Sequence, residues 1–203
     1  MKIGIMGGTF NPIHIGHLIL AESAREELSL DTVLFMPSKR PPHKENDTII
    51  SEDLRCAMTQ AAIKGNHAFF LSDIEIKRMK TTYTVDTLRQ LEGEGEIYFI
   101  MGADSLADME KWYMFEEIFK RATIVVGVRK DLYNNELDEL KAYFEEKYKA
   151  RIHILSMPNI EISATDIRQR FVDGKSIKYF VPEEAISILE SNKKDVIRCW
   201  KDV

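Results

Sequence analysis

KIGIMGGTFNPIHIGH, residues 2–17, is the stretch that decides the fold. Lys2–Met6 reads as a short buried strand, apolar apart from Gly4. Gly7-Gly8 is expected to end it, where backbone comes close to something or turns with positive φ. Asn11-Pro12 forces a further turn. His14-Ile15-Gly16-His17 then leads into an amphipathic helix. A strand, a glycine turn, two histidines and a helix start outline a phosphate site, because free backbone N–H groups and the helix dipole face an anion. The histidines add donors that can be cationic near neutral pH. The glycine spacing fits neither Gly-x-Gly-x-x-Gly nor the Walker loop. A tight turn with two incidental histidines is the plainer alternative.

Working outward, 203 residues suit one domain and can bury a core without disulfides. The expectation is a single domain over 1–203, helical from about Ser163. A net charge of −5 argues against a broad nucleic-acid surface, though not against a local basic pocket. Cys56 and Cys199 lie far apart, without metal-ligand spacing, and are expected to be reduced in the cytoplasm. No signal peptide is read at the start, and no apolar run approaches a membrane span.

Along the chain, helix is expected from Gly16 to Leu28, with Leu20, Ala21, Ala24 and Leu28 inward. Strands are expected at Thr32–Met36, Ala68–Leu71, Ile97–Met101, Ile124–Val128 and Ile152–Leu155. Ser51 caps a helix with Leu54, Ala57, Met58, Ala61 and Ala62 as its stripe. Thr84 is read as the cap of a short helix through Val85, Leu88 and Leu91. Trp112, Phe115, Ile118 and Phe119 fall at helical spacing, as do Leu137, Leu140, Phe144 and Tyr148. Ser163-x-x-Asp166 is a capping pattern, and Pro182 sits at the first position of the last helix. The strands are continuously apolar and alternate with helices. That predicts an α/β fold: a Rossmann-like, doubly wound parallel sheet, helices on both faces. Ligands then lie beyond the carboxyl ends of the strands, at a switch point. Those ends carry Gly7-Gly8-Thr9, Gly102-Ala103-Asp104 and Arg129.

Other pieces read two ways. Ser38–Ile50 holds Lys39-Arg40-Pro41-Pro42-His43-Lys44, either a solvated basic loop or an arm bringing Lys44 and His43 onto phosphates. Ser163 is a plain cap or a phosphate ligand, and Arg168 a surface ion pair or a phosphate clamp. No serine or cysteine has the surroundings of a nucleophile. The site suits holding phosphates in line and neutralising charge, which phosphoryl and nucleotidyl transfer chiefly need.

The string Gly7–His17 resembles the nucleotidyltransferase superfamily with paired histidines. Over nearly its whole length the chain is similar to bacterial nicotinate-nucleotide adenylyltransferases. Pro41–Lys44, Tyr83–Leu88, Met101–Leu106, Lys111-Trp112 and Ile162–Arg168 also carry the likeness. The resemblance implies adenylyl transfer from ATP to nicotinate mononucleotide with Mg²⁺, giving deamido-NAD and diphosphate. It implies that His14, His17 and Arg168 are catalytic. Gly7, Gly8, Thr9, Phe10, Gly102, Asp104, Ser163 and Thr165 would join them in binding ATP. Lys44, Thr82, Tyr83, Thr84, Asp104 and Trp112 would bind the nicotinate nucleotide, although Trp112 also reads as a core residue. No dedicated metal ligand, nucleic acid or membrane is implied, and a homo-oligomer is left open. The chain has Asn11 where that family commonly has Asp, and Ala164 where serine is frequent. The nearest rivals are pantetheine-phosphate adenylyltransferases, cytidylyltransferases and class I aminoacyl-tRNA synthetases. A nucleotide-binding regulator without turnover is the rival from another class.

Overall fold

The computed structural model describes residues 1–39, 48–79, 81–129 and 135–201. Among the described residues six strands form one sheet in the order β3-β2-β1-β4-β5-β6. They are β1 (Lys2–Gly8), β2 (Thr32–Pro37), β3 (Phe69–Leu71), β4 (Glu96–Gly102), β5 (Thr123–Arg129) and β6 (Ile152–Met157). The pairs β1–β4, β4–β5 and β5–β6 are parallel. The order reverses at β1, which has β2 on one side and β4 on the other, so the switch point lies beyond the expected turn. Helices alternate with these strands, as the apolar runs require.

The chain divides into two compact units. The first comprises Met1–Gly7, Leu20–Leu34 and Tyr83–Ile160. Its strands bury Ile3, Ile5, Ile97, Ile100, Ile124, Val125 and Val126. It contains α3 (Thr84–Gln90), α4 (Ala103–Ala107), α5 (Phe115–Arg121) and α6 (Asn135–Tyr148). Phe119 and Phe144 meet at 5.2 Å between centroids, joining α5 to α6. Trp112 is not on the α5 stripe: it ends the 3₁₀ turn Met109–Lys111 with extended backbone. Thr84 is not the cap of α3 either. The cap position is Tyr83, and Thr84 is the first helical residue.

The second unit comprises Gly8–Ile19, Phe35–Thr82 and Glu161–Val203. It holds the start of α1 (Ile15–Leu28), α2 (Glu52–Ile63), α7 (Ala164–Val172), α8 (Glu183–Ser191) and α9 (Lys193–Trp200). Ser51 caps α2 as expected, its hydroxyl accepting from the Leu54 N–H. The buried stripe of α2 keeps Met58 from the expected set but is turned otherwise: Ala57 is exposed, and Arg55, Thr59 and Ile63 face inward with Met58. Small alanines tolerate either side of a helix, so their spacing could not fix the face. Pro182 is the cap of α8 rather than its first residue. A further helix, α9, follows, burying Val196 and Trp200.

Candidate active site

The turn after β1 belongs to the second unit from Gly8 on. Of the two alternatives expected at its glycines, close approach holds at Gly8 and positive φ at neither. β1 continues through both glycines, and neither has positive φ; Phe10 does, at 48°. Gly8 is needed for proximity, the first of those alternatives. A Cβ there would lie 2.9 Å from Phe10 Cε1. Phe10 is 2 % exposed, edge-on to the His17 ring at 5.0 Å and tilted against Phe35 at 6.0 Å. Packing of this side chain holds an unfavourable backbone angle in place.

His14 and His17 come together at the start of α1. Their rings stack with centroids 3.7 Å apart. The His14 N–H donates to His17 Nδ1 at 3.2 Å, so the neutral His17 ring carries its proton on Nε2. His14 is buried, with its Nδ1 unpartnered among the described residues. Burial pulls its pKa down to about 4, so this histidine is a neutral imidazole at pH 7, and the cationic form allowed for the pair is not available to it there. The first helical N–H, that of Ile15, donates to the Phe180 carbonyl at 2.8 Å.

Asn11 organises the turn. Its Nδ2 donates to the Thr48 carbonyl at 2.8 Å. Its Oδ1 accepts from the Ile50 N–H at 3.2 Å and Trp200 Nε1 at 3.3 Å. Its carbonyl accepts from Arg168 Nη1 at 3.0 Å. Both ends of the amide are engaged in structure, so the residue is more than a turn former. Arg168 also donates to Thr165 Oγ1 at 3.1 Å, while its Nε is buried without a partner among the described residues. Burial lowers the Arg168 pKa, yet the guanidinium stays charged. Arg168 is therefore fixed beside the histidine turn by these bonds, and among the described residues no ion pair holds it.

Ser163 caps α7. Its hydroxyl accepts from the Asp166 N–H at 3.0 Å and donates to Asp166 Oδ2 at 2.6 Å. That hydroxyl is committed, so it is not a spare phosphate donor. The amides of Ala164 and Thr165 have no hydrogen-bond partner among the described residues. Thr82 is buried, its hydroxyl likewise unpartnered.

Within the first unit, Gly102 ends β4 and Asp104 lies in α4; both are exposed. Gly7 faces the Phe99 ring, with a Cβ there at an ordinary 3.5 Å. Trp112 is half-buried and edge-on to Phe99 at 6.0 Å. Tyr83 lies against Tyr113 at 4.6 Å. Lys44 and the Pro41–Lys44 string lie outside the described residues.

Arg55 was not singled out by sequence. It is 1 % exposed, and donates from Nη1 to the Thr9 carbonyl at 2.7 Å and from Nε to the Ile50 carbonyl at 3.2 Å. Its only advance sign was a position three residues before Met58 on α2. Among the described residues no group of three or more His, Cys, Asp or Glu side chains could hold a metal ion. No helix of the described residues is long and apolar enough to cross a membrane.

The cytidylyltransferase-like family model matches residues 5–170. A probable nicotinate-nucleotide adenylyltransferase of Clostridium botulinum is 42% identical over 192 residues, covering 94% of this chain and 96% of that one. One of Lachnoclostridium phytofermentans is 44% identical over 191 residues, covering 93% and 96%. The solved Plasmodium falciparum nicotinic acid mononucleotide adenylyltransferase, complexed with NaAD, has the same fold. It superposes with a TM-score of 0.78 at 18% identity, covering 95% of this chain and 96% of that one.

Proposed function

The chain belongs to the cytidylyltransferase-like family, with nicotinate-nucleotide adenylyltransferases among its near relatives, and on that premise we propose that it adenylylates nicotinate mononucleotide. A phosphate oxygen of the acceptor attacks the α-phosphorus of ATP. One P–O bond forms, the bond to the β-phosphate breaks, and diphosphate leaves. The products are deamido-NAD and diphosphate, and no protein nucleophile is needed. We read both compact units as one nucleotidyltransferase domain, because the family match runs unbroken through segments of each.

The observation that carries this reading is the stacked histidine pair, with the His17 proton directed to Nε2 by the His14 amide. A fixed donor at developing phosphate charge is what such transfer requires. Beside it, Arg168 supplies permanent positive charge, and the Ala164 and Thr165 amides supply donors at a helix start. Ser163 acts by starting α7 rather than through its hydroxyl. Gly7, Gly8, Thr9 and Phe10 form the turn that the phosphates approach. Gly102 and Asp104 take ribose. Lys44, Thr82, Tyr83, Thr84 and Trp112 are assigned to the nicotinate nucleotide.

The donor set offers no cage for a metal among the described residues, and the Asn11 amide is spent on its own neighbours. What fits these residues is Mg²⁺ already chelated by the triphosphate, where it neutralises phosphate charge. Cys56 and Cys199 form no disulfide with one another, and we assign the chain to the cytoplasm as part of the same proposal.

The test is incubation with ATP, Mg²⁺ and either nicotinate or nicotinamide mononucleotide, reading diphosphate and product mass. The expected product is deamido-NAD, with a kcat/KM at least about tenfold higher for the acid, since an unpaired buried donor costs about 1–3 kcal/mol. Diphosphate release with neither acceptor would refute the reading.

A further inference from the structure

Arg55 is a buried cation with no carboxylate in hydrogen-bonding reach among the described residues. Placing a guanidinium there is costly, and an apolar residue on the buried stripe of α2 would avoid the cost. Something specific must be gained at its two acceptors. One, the Ile50 carbonyl, lies just before α2 and belongs to the residue whose N–H Asn11 receives. The other is the Thr9 carbonyl, 46 residues away in sequence. Arg168 takes the Asn11 carbonyl two residues further along. The two guanidiniums thus hold alternate carbonyls of one turn.

The Thr9 carbonyl shares a peptide unit with the Phe10 N–H. Among the described residues only the Asn11–Pro12 bond is cis, so in the trans Thr9–Phe10 unit the N–H points opposite to the carbonyl. With the carbonyl fixed on Arg55, the N–H is directed away from it. That N–H has no hydrogen-bond partner among the described residues. A positive charge on the oxygen also polarises the amide and makes it a better donor. The left-handed backbone at Phe10 keeps this orientation, which an unstrained loop would relax.

We propose that Arg55 is a positioning residue: by gripping the Thr9 carbonyl it aims the Phe10 N–H at a phosphate of the substrate. The proposal rests on the reading that this turn receives phosphate.

Thr-Phe occurs once in the sequence, at Thr9-Phe10. Labelling threonine carbonyl with ¹³C and phenylalanine nitrogen with ¹⁵N therefore isolates this peptide as a single cross-peak. Inorganic diphosphate is titrated into the full chain. The expected result is a saturable downfield shift of the Phe10 proton. In Arg55→Lys, whose ammonium cannot span both carbonyls, the shift is lost and kcat/KM for ATP falls at least about tenfold. Arg55→Gln, a neutral donor, should behave likewise. Variants that melt earlier but keep near-parent kcat/KM and the same shift would make Arg55 a stabilising residue only, and overturn the proposal. If neither variant folds, the parent decides: a cross-peak indifferent to diphosphate overturns the proposal, and a moving one supports it. A parent that releases diphosphate from ATP yet has an indifferent cross-peak sinks this inference alone. A parent that releases none with either acceptor sinks the functional reading beneath it.

Discussion

The His14 and His17 rings are stacked at 3.7 Å, with the backbone of the first bonded to the ring of the second. Two cations could not share that spacing at low cost. The conflict does not arise, because burial keeps His14 neutral. His14 serves as a packed platform that fixes which nitrogen of its neighbour carries the proton.

This neutrality makes stability depend on pH. The folded pKa of His14 is about 4, against an ordinary value of 6.5. Between those values the unfolded chain binds a proton that the folded chain refuses, so stability rises with pH through the window and is lost as pH falls. At pH 4.5 the loss from this group is about 2 kcal/mol. Urea titrations at pH 7.5 and 4.5 should show His14→Gln losing less stability than the parent over that interval. Equal losses would mean that His14 is not the refusing group.

Asn11→Asp should destabilise the protein at pH 7.5 by about 1–3 kcal/mol. The carboxylate cannot donate to the Thr48 carbonyl, and it places a charge at a site 6 % exposed. The Ile50 and Trp200 donors offset only part of this. The penalty should shrink towards acid pH, where the protonated side chain can donate again. A melting temperature equal to the parent's at pH 7.5 would show that the amide nitrogen is dispensable.

Gly8→Ala should cost about 1–3 kcal/mol, the range for overpacking. The new Cβ meets the buried Phe10 ring at 2.9 Å, whereas at Gly7 it meets Phe99 at an ordinary 3.5 Å. Thermal melts should therefore rank Gly8→Ala below Gly7→Ala. Because Phe10 also contacts the His17 ring, diphosphate release should fall with Gly8→Ala. The reverse stability ranking would mean that the Phe10 ring moves aside freely.

Arg168→Lys should raise KM for ATP by about tenfold and change KM for nicotinate mononucleotide far less. The fork bonds Asn11 and Thr165 together, and an ammonium cannot keep both contacts while facing a phosphate. Steady-state kinetics with each substrate varied gives the answer. An effect confined to the acceptor would place Arg168 on the other half of the reaction.

The parallel α/β architecture was legible from residue order alone. Strands covered on both faces are written as unbroken apolar runs, and β1, β4 and β5 are such runs. The Ser51 and Ser163 caps were legible because a cap is a contact within three residues. His14 and His17 are close through a local contact too, three residues apart, with the His17 N–H donating to the His14 carbonyl at 3.0 Å. Tertiary structure decided everything that depends on desolvation or on distant partners. It turned α2 so that Arg55 is buried, placed a positive φ at Phe10 and at neither glycine of the turn, and made His14 neutral. It also gave Asn11 its role, through partners 37, 157 and 189 residues away. Periodicity and capping are sums over near neighbours, so the sequence states them. A buried donor's partner and a histidine's charge depend on which remote segments exclude water, and only the folded chain specifies that.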